Sequence, residues 1–161
     1  MVESVAQAMG RILATLDELG MTEDTLVIFT SDNGPEEWMR YPACKLQHGS
    51  VGPLRGHKLD VFEGGIRVPF LVWGPGVVRS GPASDYVGYF GDVFNTLEEL
   101  AGIAPTDSLD SISLVPLLSG EPGDQSNHDH LYWEFYERGS AQAVRAGKWK
   151  AIRRPMFTGT M

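Results

Sequence analysis

Leu26-Val27-Ile28-Phe29-Thr30-Ser31-Asp32-Asn33-Gly34-Pro35 decides how this chain is read. Its first half is a continuous apolar run, the pattern of a strand buried on both faces of a parallel sheet. Its second half stops that strand abruptly with turn residues. Upstream, Val2, Val5, Met9, Ile12, Leu13, Leu16 and Leu19 recur at three- and four-residue steps. That spacing places them on one face of a helix, which Gly20 closes as a C-terminal cap. A helix followed by such a strand is half of a doubly wound α/β unit. Asp32 and Asn33 then fall at the carboxyl end of the strand, where open α/β sheets bind ligands.

Outward from there, residues 36–59 show no convincing period and read as a long loop of the kind that often carries function. Residues 68–73 read as a second buried strand, with Pro69 tolerated near its start, and Gly74-Pro75-Gly76 turns the chain. Residues 90–101 predict a helix with Val93, Leu97, Leu100 and Ala101 on one face. Residues 113–118 are short and apolar, and residues 120–127 have loop composition. The final section changes character. Leu131, Trp133 and Phe135 alternate with Tyr132, Glu134 and Tyr136, the period of a half-buried strand. Residues 143–152 read as a hairpin about Ala146-Gly147, with Trp149 on one face. The expected organisation is an α/β domain over residues 1–125 and the beginning of a small antiparallel subdomain over residues 126–161.

Bulk properties bound the function. The 161 residues are 42% hydrophobic and 21% charged, enough for one core of normal size. The net charge of -8 argues against a nucleic-acid partner, since phosphate binding needs a basic face. No stretch approaches the ~18 consecutive apolar residues of a membrane span. The first residues have neither the basic nor the apolar region of a signal peptide. One cysteine, Cys44, excludes an intramolecular disulfide. The 19 glycines and 10 prolines point to a loop-rich architecture.

Three patches could carry chemistry. Asp32 and Asn33 offer hard oxygen donors, suited to Ca²⁺ or Mg²⁺, although two oxygens fall short of the ~6–8 that Ca²⁺ takes. A plain Asx turn is the competing reading. Arg55-Gly56-His57-Lys58 gathers three cationic or potentially cationic side chains, which would suit a bound anion or form a solvated basic turn. In Glu63-Gly64-Gly65-Ile66-Arg67 the paired glycines allow close approach of another segment. Glu63 and Arg67 are placed to pair with each other and fix the entry to the second strand.

Taken in order, these patches resemble the sulfatase family. Residues 30–34 look like its metal-binding segment. Pro53-Leu54-Arg55-Gly56-His57-Lys58, residues 63–69 and Trp73-Gly74-Pro75-Gly76 look like its second signature region. Residues 92–102 are similar to the family helix that follows. Residues 131–135 and 143–150 are similar to the strands that begin its small C-terminal subdomain. Arylsulfatases and relatives of N-acetylgalactosamine-6-sulfatase come nearest.

The resemblance implies part of an alkaline-phosphatase-like doubly wound sheet and a parent sulfuric ester hydrolase. Its substrate would be a sulfated small molecule or glycan, and its compartment the periplasm or the cell exterior. Asp32 and Asn33 would ligate a divalent cation, usually Ca²⁺, with Mg²⁺ as the alternative. Lys58 would contact the sulfate, Arg55, Glu63 and Arg67 would be scaffold near the site, and His57 would be an exposed loop residue without a role. The family nucleophile is a formylglycine made from Cys or Ser in a Cys/Ser-x-Pro/Ala-x-Arg context. Cys44, followed by Lys45-Leu46-Gln47-His48, does not fit it. The expectation is therefore a C-terminal portion whose nucleophile and remaining ligands belong to an N-terminal half. An uncovered sheet edge and apolar face would favour association and marginal stability. Two alternatives stand beside it: a phosphate-ester hydrolase of the same superfamily, or a non-catalytic remnant.

Overall fold

The computed structural model describes residues 2–36, 49–106, 108–137 and 139–155; Cys44 lies outside them. The chain divides into two compact units, each assembled from separate segments. The first comprises Met1–Phe29, Leu71–Tyr86 and Phe90–Ser126; the second comprises Thr30–Phe70, Val87–Tyr89 and Asn127–Met161.

The first unit opens with helix α1, Val2–Glu18. Gly20 ends it in the left-handed conformation, φ 65°. The Gly20 and Met21 amides donate back to Asp17 and Leu16 at 3.0 and 2.9 Å, the paired bonds of a Schellman cap. No α1 residue is buried. Strands β1, Val27–Thr30, and β2, Phe70–Trp73, form a two-stranded sheet. β2 starts after Pro69, which has no N–H to give a ladder. Burial on both faces does not hold: no residue of either strand is buried, and Leu71 is 56% exposed. An unbroken apolar strand needs neighbours and two covering layers, and among the described residues this sheet has two strands.

Helix α3, Asp92–Leu100, corrects a second expectation. Its buried residues are Asp92, Asn95 and Thr96, while Leu97 is 47% exposed. The reason lies in residues 111–114, irregular backbone beside the helix whose polar groups need partners. Asp92 Oδ1 accepts from the Ile112 amide at 2.9 Å. Thr96 Oγ1 accepts from the Leu114 amide at 2.8 Å and donates to the Asp92 carbonyl at 2.6 Å. Asn95 Nδ2 donates to the Ser111 carbonyl at 3.0 Å. A short helix, α4, Val115–Ser119, follows. Gln125 ties it down, accepting from the Leu117 amide at 3.2 Å and donating to the Ser113 carbonyl at 2.9 Å.

The second unit holds a one-turn helix, α2, Glu63–Ile66, and an antiparallel sheet in the order β3-β4-β5: Leu131–Phe135, Ala141–Ala146 and Trp149–Arg153. β3 alternates as its sequence predicts, with Leu131, Trp133 and Phe135 inward and Tyr132 and Glu134 exposed. Ala146 pairs with Trp149, so the turn is Gly147-Lys148, one residue beyond the expected pair. Gly147 supplies the positive φ, 54°, that two-residue hairpin turns favour. Val61, Ala141 and Ala143 form the core, packed by Trp133, Phe135 and Ile152. Among the described residues no helix is long and apolar enough to cross a membrane.

Candidate active site

Every candidate site residue falls in the second unit. The segment after β1 is a compact turn. Thr30 Oγ1 donates to the Pro69 carbonyl at 2.8 Å, and Ser31 Oγ to the Asn33 carbonyl at 3.1 Å. Asn33 spends its amide nitrogen on the Gly34 carbonyl at 3.0 Å, which leaves its side-chain carbonyl as the available end. Asp32 is exposed. Its one hydrogen bond among the described residues comes from Ser31 Oγ to Oδ1 at 3.5 Å, so Oδ2 remains open to a ligand.

Backbone hydrogen bonds draw the three sequence patches together. The Gly34 amide donates to the Gly65 carbonyl at 2.8 Å, the Lys58 amide to the Pro35 carbonyl at 2.9 Å, and the Gly64 amide to the Arg55 carbonyl at 2.7 Å. Such approaches need glycine. A Cβ on Gly34 would land on the Gly64 carbonyl oxygen, one on Gly64 on that of Gly56, and one on Gly65 on that of Asp60. The expected close approach at Gly64-Gly65 is thus met by the chain's own Asp32 turn and Lys58 loop.

Lys58 is part-exposed, with its Nζ 3.9 Å from Glu36 Oε2. The next residue, Leu59, holds φ 73°, a conformation an L side chain adopts only at a cost. Asp60 braces the far side: its amide donates to the His57 carbonyl at 3.0 Å, its Oδ2 accepts from the His57 amide at 3.4 Å, and its Oδ1 pairs with Arg154 Nη2 at 2.5 Å. His57 is half-buried rather than exposed. The Arg55 guanidinium lies over the Phe62 ring, 4.1 Å from the centroid.

Glu63 corrects another expectation. It does not pair with Arg67. Its Oε2 accepts from Arg145 Nη1 at 3.0 Å and its Oε1 from Lys150 Nζ at 2.8 Å. Arg67 gives Glu63 only a backbone bond, amide to carbonyl at 2.8 Å, and its side chain is exposed. The helix ends at Ile66 and Arg67 is already extended, φ -87° and ψ 117°, so the i,i+4 register of a continuing helix is not kept; the hairpin offers Glu63 two cations instead. Sequence reasoning missed Glu36, Asp60, Arg145, Lys150 and Arg154. A correctly placed hairpin turn would have flagged Arg145 and Lys150, since it sets two cations opposite each other.

Among the described residues no three His, Cys, Asp or Glu side chains cluster as a metal cage. The donors present are one carboxylate and one amide carbonyl, hard oxygens of the right chemistry for Ca²⁺ or Mg²⁺ but a partial set.

Comparison with known proteins gives the family. The sulfatase family profile matches residues 1–103, and that of the C-terminal part of N-sulphoglucosamine sulphohydrolase matches residues 57–156. The chain belongs to the sulfatase family. It is 41% identical to the steryl-sulfatase of Rattus norvegicus over 94% of this chain and 27% of that protein. It is 36% identical to the N-acetylgalactosamine-6-sulfatase of Canis lupus familiaris over 93% and 27%. Among solved structures it is similar to the PsFucS1 sulfatase of Pseudoalteromonas sp., with TM-score 0.72 and 29% identity over 91% of this chain and 28% of that one. The chain spans about a quarter of the length of the relatives it matches.

Proposed function

We propose that this chain contributes the metal turn and the sulfate-contacting lysine to a sulfuric ester hydrolase. The observation that carries the reading is the pair of backbone hydrogen bonds, Gly34 to Gly65 and Lys58 to Pro35, that bring both patches into one unit. Asp32 and Asn33 are two of the ligands of a divalent cation, Ca²⁺ before Mg²⁺. When bound, that cation would hold sulfate oxygens beside the nucleophile. Lys58 meets the sulfate with a fixed positive charge, offsetting the negative charge that builds on the ester oxygen as the S–O bond breaks. Arg55, Glu63 and Arg67 shape the loop around it. The nucleophile, a formylglycine, and the remaining ligands come from sulfatase sequence these residues do not match. The substrate is a sulfated small molecule or glycan, met outside the cytoplasm.

The test assays the protein alone and combined with the remaining three quarters or so of a sulfatase chain bearing the nucleophile. The substrates are para-nitrophenyl sulfate and para-nitrophenyl phosphate. Cleavage of the sulfate ester by the combination, abolished by EGTA, is expected. Preference for the phosphate ester would move the assignment to a phosphatase. No cleavage of either by a folded, metal-loaded combination would leave a non-catalytic role.

A further inference from the structure

If Lys58 contacts sulfate, as proposed above, its ammonium must return to one place after every turnover. Its own segment offers little rigidity, since residues 49–62 contain no helix or strand. We propose that Arg145 and Lys150, on the distant hairpin of β4 and β5, are positioning residues for Lys58, acting through Glu63.

Three observations converge on them. First, Glu63 lies five residues beyond Lys58, and both of its carboxylate oxygens are engaged, one by each cation, at 3.0 and 2.8 Å. All three side chains are largely shielded, with 25%, 14% and 26% exposure for Arg145, Lys150 and Glu63. Interactions so shielded are screened less than surface pairs.

Second, Arg145 and Lys150 are direct cross-strand partners. Like charges in that register repel. They share the face of Ala143 and Ile152, where the core lies, because alternate residues of a strand point the same way. Two cations on an inward face make sense only with an anion between them, and the hairpin brings none of its own there. The carboxylate comes from Glu63, so the hairpin's own electrostatics hold the end of the Lys58 loop. Lys150 also sits over the Trp133 ring, 5.0 Å from its centroid, which fixes the cation's position on the sheet.

Third, the Lys58 loop stores backbone strain at Leu59, φ 73°. A strained residue persists where its surroundings over-determine it. Before Leu59 the Lys58 amide is held by Pro35. After it, Asp60 is held by Arg154 and Glu63 by the two cations. Among the described residues, the hairpin and the bend after β5 thus supply the charged anchors on the downstream side of the lysine.

The test is hydrogen exchange of assigned amides in the full-length protein. Lys150→Met and Arg145→Met are each expected to speed exchange at Lys58, Asp60 and Gly64 by about tenfold, the size of a local opening made easier. The central hairpin amides of Ala143 and Val144 stay within about twofold of the parent. Lys150→Arg, which keeps the charge, restores protection at Lys58. Loss of protection confined to the hairpin, with Lys58 unmoved, overturns the proposal, because the cluster then serves only the hairpin. If Lys150→Met does not fold, the near-isosteric Glu63→Gln is read at the same amides, and an unmoved Lys58 amide again overturns it. Cleavage of para-nitrophenyl sulfate is scored separately, with each variant in the combination that carries the nucleophile. Faster exchange without any cleavage would remove the sulfatase reading and leave the mechanical coupling standing. Cleavage by Lys150→Met at the parent kcat/KM would remove the positioning role and leave the sulfatase reading intact.

Discussion

The Lys58 amide and the Pro35 carbonyl are 2.9 Å apart, and that hydrogen bond ties the candidate sulfate contact to the turn carrying Asp32 and Asn33. It fixes where the lysine starts but not where its charge ends, because four carbons and their rotamers lie between. Glu36, 3.9 Å from the ammonium, draws the charge toward the same turn.

Lys58→Met keeps the length of the stem and removes the charge. In the active combination it is expected to lower kcat/KM for para-nitrophenyl sulfate by about a hundredfold, the usual loss for one oriented transition-state contact. The denaturation midpoint should barely move, because the ion pair with Glu36 is long and part-exposed. Lys58→Arg should recover part of the rate, since its charge is retained on a different geometry. Unchanged kcat/KM in a folded Lys58→Met protein would remove the lysine from the site.

Gly34→Ala tests the junction itself. The added methyl would meet the Gly64 carbonyl oxygen, which is backbone and cannot swing aside. The two segments must separate, breaking the Gly34-to-Gly65 hydrogen bond. Urea denaturation should show a loss of about 2 kcal/mol or more. The same substitution at Gly123, whose Cβ would meet nothing within 4 Å, should stay within about 0.5 kcal/mol of the parent. Equal effects at the two positions would mean the close approach is not a structural requirement.

Local patterns carried their own elements into the structure and failed where the deciding partner was remote. The period of α1, the cap at Gly20 and the alternation of β3 are written in neighbouring residues, and all three are seen. The glycines at 64 and 65 announced a close approach, though not what approaches. The Glu63 pairing was misread because the nearest cation in sequence, Arg67, competes with two that arrive 82 and 87 residues later. The face of α3 was misread because apolar periodicity marks what a helix can bury. It does not show that a polar strap beside it will claim Asp92, Asn95 and Thr96. Apolar strands β1 and β2 anticipate cover that the described residues do not supply.

Thr96→Val examines that strap. The hydroxyl is 2% exposed as a residue and bonds in both directions, accepting from Leu114 and donating to Asp92. Valine fills the same volume and leaves the Leu114 amide buried without its partner. A loss of about 1–3 kcal/mol by urea denaturation is expected. Thr96→Ser, which keeps the hydroxyl and loses one methyl, should lose about 1 kcal/mol. If serine costs as much as valine, packing and not the hydrogen bonds holds residues 111–114 against α3.

The same polar neighbourhood sets a response to alkali. Burial, and after it the Asp92 charge, push the Tyr86 phenol up to about 12 from its ordinary 10.0, against a partial offset from the Gln125 amide. The raised value means the folded state keeps a proton that the unfolded chain gives up. Below about pH 10 both states hold that proton, and the contribution to stability is complete. Between about 10 and about 12 the unfolded chain binds fewer protons than the folded one, so stability falls as pH rises. Tyr132 and Tyr136, raised by their hydrogen bonds to Glu134, bend the curve in the same direction, so the parent profile alone does not isolate Tyr86. Tyr86→Phe does. Its urea midpoint, followed from neutral pH to about 12, should decline less steeply than the parent's. Parallel curves for the two proteins would show that the Tyr86 phenol ionises in the folded chain as easily as in the unfolded one.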